Sequence, residues 1–223
     1  AKPGVSGLAV INGLQIEQLE SSAPATNSTA VADWTFEEGV AGSVATNVTD
    51  FTGHGHAGTV ILASPAYVGT PGTGDGSVSL DFHTGSGFRC ADSAEFNFPG
   101  DFTVEATIHP TDKNTVANRG VVVAQDSVSG HLIYGIDYTT EGGVADFFVV
   151  NAAGTTAYVP APIPNDGQSH HVAGSLSGQT LSVYVDGNLV VSSNTVIRPG
   201  VAAGTNVILT VGANNIGGYW FEG

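Results

Sequence analysis

Apolar residues in this chain recur at every second position far more often than at every third or fourth. Phe102, Val104, Ala106 and Ile108 alternate strictly with polar neighbours, the period of a strand with one buried face. Trp34 and Phe36 alternate in the same way. Further strands are predicted over 77–82, 120–124, 132–138, 146–150, 170–175, 181–185, 189–192 and 206–212. The turn Asp186-Gly187-Asn188 between two of these segments is a hairpin signal. An earlier segment, 8–19, places Leu8, Val10, Leu14 and Ile16 on one face, with Asn12 interrupting. It is followed by a polar spacer, SSAPATNSTA, over 21–30. Loops are expected at 49–60 and 69–76, and a proline-rich crossing at 159–164. No amphipathic pattern exceeds two helical turns. Many short strands about ten residues apart predict an all-β sandwich or jelly roll.

Composition agrees. Glycine occurs 31 times, and hydrophobic residues make up 41% of the 223 residues, enough for one large core. Five Lys and Arg stand against twenty Asp and Glu, a formal net charge of −15. Such a chain cannot neutralise phosphates, so nucleic acid is not an expected partner. No apolar run is long enough for a membrane span. No signal peptide is visible and the chain does not start with Met, which predicts a processed chain or an excised fragment. The single cysteine, Cys90, is expected to be a buried small hydrophobe.

Four blocks carry a resemblance. WTFEEG (34–39) leads into TDFTGHGHAGTV (49–60). GDFTVEATI (100–108) closes the block 77–110. SHHVAGSLSGQTLSVYVDGNLV (169–190) and VGANNIGGYWFEG (211–223) follow. In this order they resemble the laminin-G-like, concanavalin A-like domains of bacterial extracellular proteins. The resemblance implies a concanavalin A-like jelly-roll sandwich of two antiparallel sheets over 31–223, secreted or at the cell surface. The fold hosts lectins, adhesins and enzymes, so it does not name an activity.

Two departures from the family pattern matter. Ser169 stands where the family has Trp, and the chain stops at Phe221-Glu222-Gly223, where the family continues into a last strand of the type I-D-E-V-R-I-Y. Ile11 to Glu17, INGLQIE, can be laid on that missing strand. An absent strand leaves backbone donors and acceptors open, and three placements of 1–20 follow. It folds back into its own domain, it inserts into the next subunit, or it is the tail of a neighbouring domain. The spacer reaches about 35 Å when extended, so reach does not choose between them. The preferred expectation is strand donation between subunits through Leu8, Val10, Ile11, Asn12, Leu14 and Ile16. That would build a head-to-tail fibre or surface layer whose partner is another copy of the chain. The alternative is a carbohydrate-binding or adhesive module of a larger secreted protein.

Candidate chemistry is sparse. In the resembling family the 50–58 loop helps to hold a structural calcium, which implies Asp50, Gly53, His56, Glu37 and Glu222 as ligands, with Asn12 beside them. His54 and His56 offer two imidazoles to a transition metal such as zinc, with no third ligand in view. For sugar, exposed aromatics next to amides point to Tyr219 and Trp220 beside Asn214 and Asn215, and also to Tyr67, Tyr138 and Tyr158. His170 and His171 are expected to face opposite sides of a strand. The laminarinase-type E-x-D-x-x-E triplet is absent, Glu105 stands alone, and Glu37 and Glu38 point apart, so no catalytic carboxyl pair is predicted.

Overall fold

The computed structural model describes residues 10–19, 29–69, 77–82, 86–109, 119–139, 143–164, 166–201 and 204–213. They form β1 (Val10–Leu19), β2 (Thr29–Trp34), β3 (Asn47–Val48), β4 (Gly58–Leu62), β5 (Ala66–Gly69), β6 (Val78–Asp81), β7 (Ser86–Cys90) and β8 (Asp101–His109). After these come β9 (Arg119–Asp126), β10 (Leu132–Thr139), β11 (Val144–Val150), β12 (Thr156–Pro162), β13 (His170–Ser177), β14 (Thr180–Val185), β15 (Asn188–Asn194) and β16 (Val207–Val211). A one-turn 3-10 helix, Ala94–Phe96, joins β7 to β8. No helix among the described residues is long and apolar enough to cross a membrane.

The strands make two antiparallel sheets. The first runs β15-β14-β13-β8-β1-β6-β5, with β2 also on β1; the second runs β12-β11-β10-β9-β16-β7-β4-β3. In β8 the alternation expected from sequence is realised: Phe102, Val104, Ala106 and Ile108 are buried, and the residues between them are half-exposed. The inner faces meet through aromatic rings. Phe102 lies 4.8 Å from Tyr134 and 6.0 Å from Phe147 across the interface, and Trp34 lies 5.6 Å edge-on to Phe88. Gly174 leaves room for Phe147, because a Cβ there would lie 2.3 Å from the ring. Cys90 is buried as expected.

The strand expected to serve a neighbouring subunit pairs within its own chain. One edge of β1 runs along β8 from Val10↔His109 to Leu19↔Asp101. Its other edge is shared, with Val10 and Ile11 on β6 and Leu14 to Gln18 on β2. Asn12 falls in the irregularity where the register against β8 shifts. Both edges of β1 are thus paired within the chain. The fold lends no support to head-to-tail donation. Leu8 lies outside the described residues.

Two other expectations change. Residues 156–162 form β12 rather than a crossing, because β12 ends its sheet and Pro160 and Pro162 need no ladder donor on the open side. The spacer is shorter at its end, since β2 begins at Thr29. The hairpin turn is as expected: Asp186 and Gly187 take φ 50 and φ 76 between the paired Val185 and Asn188, the positive values a type I′ turn requires.

Candidate functional site

The outer face of the second sheet follows from its register, because directly paired residues share a face. Thr59, Arg89, Thr210, Val123, Gly135, Phe148 and Tyr158 stand level on successive strands. Asp137, Asp146 and Pro160 form the parallel row two residues along. Phe148 lies over Gly135, where a Cβ would come within 3.1 Å of its ring and 2.4 Å of the Val122 carbonyl. Val123, Phe148 and Val150, with Leu132, make a small apolar cluster separate from the main core.

These residues floor a cleft of about 370 Å³ lined by Leu132, Asp137, Asp146, Phe148, Val150, Thr156 and Tyr158. Tyr158 is 64% exposed and offers its ring to solvent. Asp137, by contrast, is 4% exposed, and its Oδ1 finds no hydrogen-bond partner among the described residues. Burial, and then the facing Asp146 carboxylate, push Asp137 up to about 7. Burial also raises Asp146, against a bond from the Thr139 hydroxyl at 3.4 Å. Near neutral pH Asp137 therefore offers both an acid proton and a carboxylate lone pair.

Neither Asp137 nor Asp146 belongs to a motif. The available signal is compositional: aspartate is depleted in strands, and each interrupts an apolar run, LIYGIDY and VADFFVV. Of the described tyrosines named for sugar contact, Tyr67 and Tyr138 are core residues and Tyr158 faces solvent. Tyr219, Trp220, Asn214, Asn215 and Glu222 lie outside the described residues.

The 50–58 loop is built around Asp50. Its Oδ1 accepts from the Asp33 and Thr52 N–H groups and the Thr52 hydroxyl, at 3.2, 3.0 and 2.7 Å, and its Oδ2 accepts from the His56 N–H at 2.9 Å. Burial pushes this carboxyl up, but the bonds from Thr52, His56 and Asp33 outweigh it and hold it below its usual value. The His56 carbonyl accepts from the Trp34 indole at 2.9 Å. Glu37 accepts from the Val78 N–H, and Gly53 serves the turn with φ 85. Of the oxygens expected around calcium, those of Asp50, Glu37 and the His56 carbonyl thus already accept hydrogen bonds from the protein.

Imidazole nitrogens do converge there. Gly53 and Gly55, at φ 85 and φ 86, fold the loop so that His54 and His56 reach Glu95 on the 3-10 helix. His54 Nδ1 and His56 Nε2 each lie 2.9 Å from Glu95 Oε2. His56 is buried against Phe96, with ring centroids 4.3 Å apart. Bonds from His54 and then His56 hold the Glu95 carboxyl low.

His170 and His171 divide as expected. His170 is buried and bridges Asp186 (2.8 Å) and Asp166 (3.1 Å), while half-buried His171 approaches Glu105 at 3.4 Å. Burial lowers His170, but its two aspartates outweigh that and raise it.

Comparison with solved structures finds the same fold elsewhere. Domain 4 of AbnA, a GH43 extracellular arabinanase from Geobacillus stearothermophilus solved with arabinotriose, is 19% identical. The match covers 81% of this chain and 88% of that one, with a TM-score of 0.58. The binding domain of Paraclostridial Mosquitocidal Protein 1 is 13% identical, over 75% of this chain and 45% of that one, at a TM-score of 0.51. The binding domain of Botulinum Neurotoxin DC, in complex with SialylT, is 11% identical, over 76% and 42%, at 0.52. This chain therefore spans under half of either toxin chain, and at these identities the likeness is one of fold. Curated proteins yield no match. The model of the Laminin_G_3 family matches residues 82–223, most of the chain, so the protein belongs to the concanavalin A-like lectin/glucanases superfamily.

Proposed function

We propose that this protein is a non-catalytic glycan-binding module of an extracellular protein, and that it seats a sugar in the cleft over β10, β11 and β12. The observation that carries this reading is the cleft itself, which sets the exposed Tyr158 ring beside the Asp146 carboxyl and Thr156 over an apolar floor. Tyr158 supplies the stacking face, Phe148 and Val150 the apolar floor, and Asp146 and Thr156 further polar contacts. Two neighbours in fold, the arabinanase domain and the neurotoxin binding domain, were solved with sugar ligands, which is in keeping with this use of the fold. The pairing of β1 on both edges in cis favours a self-contained module over a fibre built by strand donation.

A glycan array followed by calorimetric titration of the best ligand tests the reading. Tyr158→Ala and Asp146→Ala should each weaken binding at least about tenfold, roughly 1.4 kcal/mol, with the circular dichroism spectrum unchanged. Binding that survives both substitutions moves the site off this cleft. Release of reducing ends from the bound polysaccharide would make the carboxyl pair catalytic instead.

A further inference from the structure

The loop between β3 and β4 and the 3-10 helix before β8 lie far apart in sequence, yet they bring three metal-ligating side chains to one point. His54 Nδ1, His56 Nε2 and a Glu95 oxygen all lie within 4.8 Å of one another. The two imidazole nitrogens each approach the same oxygen at 2.9 Å. A tetrahedral zinc with ligands at about 2.0–2.1 Å separates its donor atoms by roughly 3.3 Å. Each nitrogen–oxygen distance therefore needs to open by only a few tenths of an ångström.

The backbone under the cluster is held in place before any ion arrives. Asp50 takes three hydrogen bonds from within the loop and one from the Asp33 N–H of β2, the Trp34 indole N–H holds the His56 carbonyl, and the Ser93 hydroxyl accepts from the Glu95 N–H at 3.1 Å. The His56 ring is fixed against Phe96, while His54 and Glu95 are exposed and leave a way in from solvent.

We propose that His54, His56 and Glu95 form a binding site for a divalent transition metal of the zinc class. Two imidazoles and one carboxylate suit zinc, copper, nickel or cobalt, whereas calcium prefers six to eight oxygens. Three protein ligands leave the fourth position to water or to an outside donor. Each neutral imidazole presents its unprotonated nitrogen to the ion and keeps its proton on the other nitrogen, so no redox step or co-reactant is involved. The bound ion ties the β3–β4 loop to the connection between β7 and β8, and so pins one end of the second sheet.

The test uses the whole chain, stripped with a chelator and titrated with zinc chloride by calorimetry and with cobalt chloride by visible absorption. One equivalent of zinc should bind and raise the melting temperature, and cobalt should give the d–d bands of a low-coordinate site. Residues that merely orient a ligand change metal affinity about 10- to 100-fold, so loss of a ligand should cost at least that. His54→Ala and Glu95→Gln, both at exposed positions, should each weaken zinc at least about tenfold and abolish the cobalt bands. His131→Ala, on an exposed turn, should leave both unchanged. No zinc binding by the wild-type chain, or equal binding by His54→Ala and Glu95→Gln, overturns the assignment. Calcium chloride should neither bind in place of zinc nor displace it, and displacement by calcium would also overturn it.

Discussion

Replacing Asp137 by asparagine should alter how stability varies with pH more than it alters stability at any one pH. In the folded protein this carboxyl is pushed from its ordinary 3.8 to about 7 by burial and by Asp146. An acid with a raised folded pKa keeps its proton where the unfolded chain has already lost its own. Between about pH 4 and pH 7 the folded state therefore holds more protons, and stability falls as pH rises. The slope approaches about 1.4 kcal/mol per pH unit, so the whole window amounts to roughly 4 kcal/mol. Because water reaches the cleft that Asp137 lines, we expect about 2–4 kcal/mol.

Asparagine cannot ionise, so this part of the slope disappears. Its amide must also find a partner, which costs about 1–3 kcal/mol at every pH and cancels when two pH values are compared. The assay is urea unfolding of both proteins at pH 4.5, 6, 7 and 8. From pH 4.5 to pH 8 the wild-type protein should lose at least about 2 kcal/mol more than Asp137→Asn, equivalent to roughly 4–8 °C in melting temperature. The histidines and the carboxyls remote from Asp137 are common to both proteins, so their contributions drop out; Asp146, which faces Asp137, titrates with it as a pair and belongs to the measured difference. Curves that run parallel to within about 0.5 kcal/mol would refute the reasoning, because Asp137 would then be ionised across the whole range and not buried as described.

Two further outcomes test the packing. Deleting residues 1–19 removes a strand hydrogen-bonded on both edges and should abolish cooperative unfolding, and a peptide of residues 10–19 should restore it. A soluble, cooperatively folded truncation would mean that β1 does not belong to its own sheet. Gly174→Ala would place a methyl 2.3 Å from the Phe147 ring and should cost about 1–3 kcal/mol in urea unfolding; an unchanged midpoint would count against that contact.

Much of the fold was legible in the sequence because strand burial has a local signature. The period of two in Phe102 to Ile108 needs no knowledge of the partner strands, and the Asp186-Gly187 turn carries its own backbone chemistry. The four blocks placed the chain in its superfamily without any coordinates. The strand through Ile11 to Glu17 could be read from its alternation. Its placement could not be, because a linker that reaches either site carries no information about which one it uses. Pro160 and Pro162 suggested a crossing, because sequence does not say that β12 ends its sheet and has a free side. The cleft and the histidine cluster depended wholly on tertiary structure. Asp137 and Asp146 become a pair only when β10 and β11 take their register. Glu95 joins His54 and His56 across some forty residues of sequence. Alternation records which face of a strand is wet, but the chemistry of a site depends on distances between side chains on different strands and loops, and packing alone sets those distances.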